Sequence, residues 1–293
     1  MLQCVLPATV DLLALHCRHP SRYPFLLQSV AAHPLAGRYD LLFAFPEDAI
    51  VARAGDGDFF ARLDQAAASV APVPNAGLPF VGGWFLLLGY EAARWVEPRL
   101  KLPASPHQLP DALAVRCTAA VIVDRLNGTA IAISEASEDA MRQIEQDCAA
   151  LDAGSEPATQ QPIEIREDDE QHFIGGVARI LDYLQAGDVF QANLSRRWQA
   201  RYGQPVDAAA LYERLRQANP APFAGLARWG NSTVLSSSPE RLIEIADGIA
   251  QTRPIAGTHA RDHNADDRDR ERLIASLKER AEHVMLIDLE RHD

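Results

Sequence analysis

No stretch of this 293-residue sequence is both apolar and long enough to cross a bilayer. The best candidate, VGGWFLLLGY at 81–90, falls well short of the ~20 residues a spanning helix needs. The N-terminus, MLQCVLPATVDLLALHCRHP, has no cationic segment ahead of an apolar core, so no signal peptide is expected. The chain therefore reads as soluble and cytoplasmic. Basic stripes are missing as well. At a net charge of −12, nothing gathers Lys and Arg as phosphate binding requires, which excludes nucleic acid as the main partner. An anionic small substrate stays open, because a metal ion or a few local donors can reverse the local field. The four cysteines (Cys4, Cys17, Cys117 and Cys148) form no CxxC pair, which disfavours structural zinc and fits reduced thiols. There is no repeat of fixed period.

What is present is ordinary globular material. The sequence is 47% hydrophobic and 23% charged, enough for one large core or two moderate ones. Composition shifts at about 135–170. An acidic helix there gives way to GSEPATQQP, which has almost nothing to bury and reads as a linker or surface loop. The boundary divides the chain into regions 1–150 and 165–293.

The first region reads mainly as strands. LAVRCTAAVIVDR (113–125) and TAIAIS (129–134) flank Leu126-Asn127-Gly128, a hairpin signal. YDLLFAF (39–45) and GWFLLLGY (83–90) read as buried strands. In the second region Phe173, Val177, Ile180, Leu181 and Leu184 make one apolar helical stripe. Asp168 or Asp169 can cap its start and Gly187 its end. VFQANLSRRWQA (189–200) predicts a strand, 207–219 a helix stopped by Pro220, and 266–290 one long charged helix. That helix meets no stop signal before the sequence closes, so a truncated domain is expected.

Four segments in fixed order then carry a resemblance: GDVFQANLSRRW (187–198), SSSPERLIEI (236–245), QTRPIAGT (251–258) and KERAEHVMLIDLERHD (278–293). The chain resembles the chorismate-utilising enzymes, which include anthranilate, aminodeoxychorismate and isochorismate synthases. FLLQS (25–29), HPLAGRYD (33–40) and GGWFLLLGYEAAR (82–94) look like the family's N-terminal region. The resemblance implies an α+β fold, a large two-sheet antiparallel β-sandwich with outer helices, incomplete at the C-terminus. It also implies an enzyme whose truncated chain is inactive alone, the alternative being a piece that acts only as a binding module.

Glu279 and Glu282 stand three apart, so both carboxylates project from one helix face. By spacing alone a solvated face is the commoner meaning of such a pair. The resemblance makes them ligands of Mg2+, a hard cation that takes one or two carboxylates and keeps several waters. Glu240 follows Ser238-Pro239, which by itself is an ordinary turn. By resemblance it is the general acid that protonates the departing C4 hydroxyl of chorismate. Isochorismate and salicylate synthases carry a water-activating lysine where Gln191 stands. A glutamine has no titratable acceptor, so Gln191 favours ammonia over water as nucleophile.

Some aminodeoxychorismate synthases carry a nucleophilic lysine at the position of Ala256, and alanine cannot form that adduct. Ammonia would then attack directly, at C4 or, giving an ortho amine, at C2. Gly257 and Thr258 would offer donors to a substrate carboxylate, although a simple turn looks the same. Leu27, Ser29, Pro222 and Phe223 resemble the elements of the family's tryptophan pocket, and plain core packing is the alternative. Gln28 departs from the acidic residue usual in anthranilate synthases, which weakens the case for tryptophan feedback. His292 replaces an asparagine, and His259 and the acidic run after Thr258 are also unusual. HPLAGRYD and FQANLSRRW look closer to aminodeoxychorismate synthase component I than to anthranilate synthase. No glutaminase Cys/His arrangement occurs, so ammonia is expected from a separate glutamine amidotransferase subunit.

Overall fold

The computed structural model describes residues 1–31, 37–74, 77–151, 160–258 and 266–292. Residues 33–36 of HPLAGRYD, most of the linker, His259 and most of the acidic run after it lie outside the described residues. The chain begins with β1 (Leu2–Leu6), α1 (Leu12–Arg18), β2 (Phe25–Gln28), β3 (Tyr39–Ala52), α2 (Phe59–Ala68) and β4 (Gly83–Leu88). Next come α3 (Ala93–Val96), β5 (Ala112–Asp124), β6 (Thr129–Ser134), α4 (Glu138–Ala149), β7 (Glu164–Glu167) and α5 (Glu170–Ala186). They are followed by β8 (Trp198–Arg201), α6 (Ala208–Ala218), β9 (Phe223–Trp229) and β10 (Ser232–Ser238). Last are β11 (Glu244–Ala246), β12 (Ile249–Gln251), α7 (Asp266–Ala275) and α8 (Leu277–His292).

Eight strands form one sheet in the order β1-β6-β5-β3-β2-β9-β10, with β4 on β5. Its ladders are antiparallel throughout, and β7–β8 and β11–β12 form two separate two-stranded ladders. The α+β, antiparallel character implied by the resemblance is present, and the described residues carry one large sheet. β5 is its spine, buried over most of its length. Residues 119–124 of β5 pair with β6 and residues 112–117 with β4, so the strand changes partner near Thr118. Opposite that point β3 shifts register between Pro46 and Ala49, and Phe45 takes φ 53°. A bulge there bends β3 so that it can follow β5 through the change.

The β5–β6 turn is set locally. Asp124 Oδ1 accepts from the N–H groups of Leu126 at 3.0 Å and Asn127 at 3.3 Å, while Gly128 supplies φ 63°. Over the sheet, Phe25 stacks on Phe85 at 3.9 Å within a cluster that includes Phe43, Leu113, Val115 and Cys117. Burial pushes the Cys117 thiol up to about 12.

The chain forms two compact units, one of residues 1–154 with 215–293 and one of residues 155–214. One edge of the second unit, at 154/155, falls inside the expected linker, while residues 215–293 return to the first unit. The reason is β9, which hydrogen-bonds along β2 from Phe25↔Ala227 to Gln28↔Ala224 and so extends the N-terminal sheet. α5 starts on Asp169, whose side chain accepts from Gln171 N, and ends on left-handed Gly187, as its caps predict. Its apolar stripe is not buried, however. Val177, Leu181 and Leu184 are exposed.

Two other expectations are corrected. The strand expected over 189–200 shortens to β8, the part that finds a ladder partner in β7. The single long helix over 266–290 breaks at Ser276 into α7 and α8. Ser276 is the physical reason. Its Oγ accepts from Glu279 N at 3.4 Å, starting a new helix in the S-x-x-E pattern of a capping box.

Candidate functional site

The first unit brings three of the singled-out segments together. Glu240 lies just past β10, after Ser238-Pro239, in a turn where Ser238 Oγ accepts from Glu240 N at 3.2 Å. Its side-chain Oε1 accepts from the backbone N–H of Ile255 at 2.9 Å. Oε2 has no hydrogen-bond partner among the described residues and the side chain is exposed. The loop that follows β12 therefore reaches the candidate acid through main chain, next to Ala256.

Two residues further on, the same loop meets α8. A methyl group built on Gly257 would overlap the carboxylate of Glu279. Glu279 is partly buried in the first turn of α8, where the helix dipole favours a negative charge. Lys278 Nζ stands 3.8 Å from its Oε1. Glu282 is also partly buried, one turn along. Among the described residues no cluster of three or more His, Cys, Asp or Glu side chains is assembled for a metal. Two stacked carboxylates, one of them in a cradle that a Cβ would fill, still fit Mg2+, which commonly keeps water and substrate oxygens on its other positions.

Ala256 and Gly257 are partly buried and Thr258 is exposed. Gln191 belongs to the second unit, in the irregular, exposed stretch before β8.

Arg241 adds a partly buried cation to the site. Its Nη1 donates to Glu244 Oε2 at 2.6 Å, while Nε and Nη2 are buried with no hydrogen-bond partner among the described residues. A guanidinium so placed beside Glu240 has unmet donors for an anion. Nothing in the local sequence separates it from any surface arginine. Ser276 also went unread, although Ser276-Leu277-Lys278-Glu279 has the spacing of a capping box.

The residues singled out for a tryptophan pocket also meet. β2 lies beside β9, and Val30 N donates to Ala221 O at 2.9 Å, which sets Leu27 and Ser29 alongside Pro222 and Phe223. Leu27 is exposed, and its side chain packs on Gly225 of β9. The Ser29 hydroxyl donates to Tyr39 O at 2.9 Å, and its N–H to Asp40 Oδ1 at 2.8 Å. Gln28 is buried between two charges. It donates to Asp40 Oδ2 at 3.2 Å and accepts from Arg216 Nη1 at 3.0 Å. Arg125 grips Asp40 with two nitrogens, at 2.8 and 2.6 Å. A glutamate in place of Gln28 would set a second carboxylate against Asp40, which gives the neutral amide its physical reason.

A family model described as chorismate binding enzyme matches residues 24–293. An anthranilate synthase component I-like protein of Synechocystis is 33% identical over 273 residues, covering 89% of this chain and 55% of that protein. An aminodeoxychorismate synthase component 1 of Salmonella typhimurium is 32% identical over 285 residues, covering 90% of this chain and 61% of that protein. The chain thus spans little more than half the length of these relatives. Anthranilate synthase component I from Streptococcus pneumoniae has the same fold, with a TM-score of 0.74 at 24% identity over 89% of this chain and 62% of that structure. No helix among the described residues is long and apolar enough to cross a membrane.

Proposed function

Because the chain belongs to the family of chorismate-binding enzymes, we propose that its protein aminates chorismate as an aminodeoxychorismate synthase component I. The reaction joins chorismate and ammonia to give 4-amino-4-deoxychorismate, a precursor for 4-aminobenzoate and folate. Gln191 carries the choice of nucleophile. A side chain without a titratable acceptor cannot take a proton from water, whereas ammonia attacks without a base. Ammonia is supplied by a glutamine amidotransferase subunit.

One C–N bond forms and the C4–O bond breaks; the oxygen leaves as water with a proton from Glu240, and the proton that the new ammonium sheds to become the amine balances the one Glu240 gave. The Ile255 N–H holds one oxygen of that carboxyl, and the other oxygen would carry the proton. Ala256 offers no amine, so ammonia itself makes the new bond. Gly257 and Thr258 receive a substrate carboxylate. Glu279 and Glu282 would hold Mg2+, which when bound supplies positive charge for that carboxylate.

Anthranilate synthase component I is the second reading, favoured by Ala256, because amination without a lysine adduct is the chemistry of the ortho product. The intact protein with chorismate, Mg2+ and ammonium separates the two. Mass spectrometry and chromatography of the product should find aminodeoxychorismate. Anthranilate would overturn the folate assignment, and isochorismate would remove the argument from Gln191.

A further inference from the structure

We propose that Gly257 is a positioning residue for the Glu279 carboxylate, so that the 255–257 loop sets the direction of a metal ligand carried by α8. The inference rests on the reading of Glu279 as a Mg2+ ligand.

Local sequence favours a different side-chain direction. In an S-x-x-E capping box the glutamate turns back to the N–H of the capping serine. The Ser276 N–H is instead occupied by Arg272 O at 3.2 Å and Leu273 O at 3.3 Å. Only half of the box is made, the Glu279 N–H on Ser276 Oγ. The carboxylate is released from the cap and lies against Gly257, where a Cβ would overlap its Oε2, Cδ and Cγ.

Gly257 does not need to be glycine for its backbone. Its φ lies outside the left-handed region, unlike those of Gly187 and Gly248. An alanine could adopt the same main-chain conformation. What the position demands is space, and the group filling that space is the carboxylate. The same short loop holds Glu240 through the Ile255 N–H. One main-chain segment therefore braces the candidate acid and the candidate metal ligand two residues apart. Displacing Glu279 by the width of a methyl group would spoil a ligand position that tolerates little error.

The test is Mn2+ binding to the intact protein, followed by electron paramagnetic resonance with Mg2+ as competitor. Wild type, Gly257→Ala, Glu279→Gln and the double variant are compared. Gly257→Ala should weaken Mn2+ binding about tenfold or more while the melting temperature stays close to wild type. The double variant should bind no more weakly than Glu279→Gln alone, because both changes act on one carboxylate. Unchanged affinity in Gly257→Ala, or fully additive losses, would overturn the proposal. Unchanged affinity in Glu279→Gln would instead remove the metal reading on which it rests. Should Gly257→Ala not fold, adding Glu279→Ala removes the overlapped side chain and should restore folding; if it does not, Gly257 serves something other than Glu279.

Discussion

Glu240 and Ile255 are joined by a single hydrogen bond, from the Ile255 N–H to the side-chain Oε1 of Glu240 at 2.9 Å. A main-chain donor is well suited to holding a carboxyl group that must keep its direction, because it does not rotate as a side chain does. It also leaves the second oxygen for chemistry. Replacing Glu240 by glutamine keeps the shape and the acceptor and removes the transferable proton. In the intact protein kcat should fall by about 10²–10⁴, with KM for chorismate little changed. A variant that turns over at the wild-type rate would exclude Glu240 as the acid.

Asp40 is almost fully buried, and Arg125 is the cation that grips both of its oxygens. Truncating Arg125 to alanine leaves a buried carboxylate held by Gln28 and the Ser29 N–H. The loss should be about 3 kcal/mol, read from urea unfolding. Adding Asp40→Asn to that variant should recover part of it, since the uncompensated charge disappears.

Hydrogen bonds from Arg38 hold the Asp124 carboxyl at about 2 instead of 3.8; burial opposes them, and the N–H groups of Asn127 and Leu126 add to them. The unfolded chain therefore binds more protons than the folded one between these values. The stability that Asp124 contributes is complete above about pH 5 and is lost as the pH falls toward 2. Urea midpoints of wild type and Asp124→Asn should differ most at neutral pH and draw together as the pH drops from 5 to 3. A constant gap would show that the carboxylate is not responsible.

Cys117 is buried in the sheet core with its thiol pushed up to about 12 by burial, whereas Cys17 is exposed. A thiolate-directed reagent at pH 8 should label Cys17 first in the folded protein. Cys117 should react only once the protein is unfolded, and early labelling there would contradict the packing of β5.

Parts of this molecule were determined by the sequence alone, through signals that act over a few residues. Leu126-Asn127-Gly128 specified a hairpin because Asp124 and a left-handed glycine close the turn through contacts within 124–128. Asp169 and Gly187 bounded α5 for the same reason. Four motifs in order were enough to place the chain in its family. Tertiary structure decided whatever depends on distant partners. β9 joined β2 across nearly two hundred residues and brought residues 215–293 back to the N-terminal unit, because strand pairing is set by edge and register, not by composition. The strand expected over 189–200 shrank to the stretch β7 can pair with. The direction of Glu279 was also decided at long range. Its own helix start would have turned the carboxylate back on Ser276, and Gly257 gave it the space to lie elsewhere.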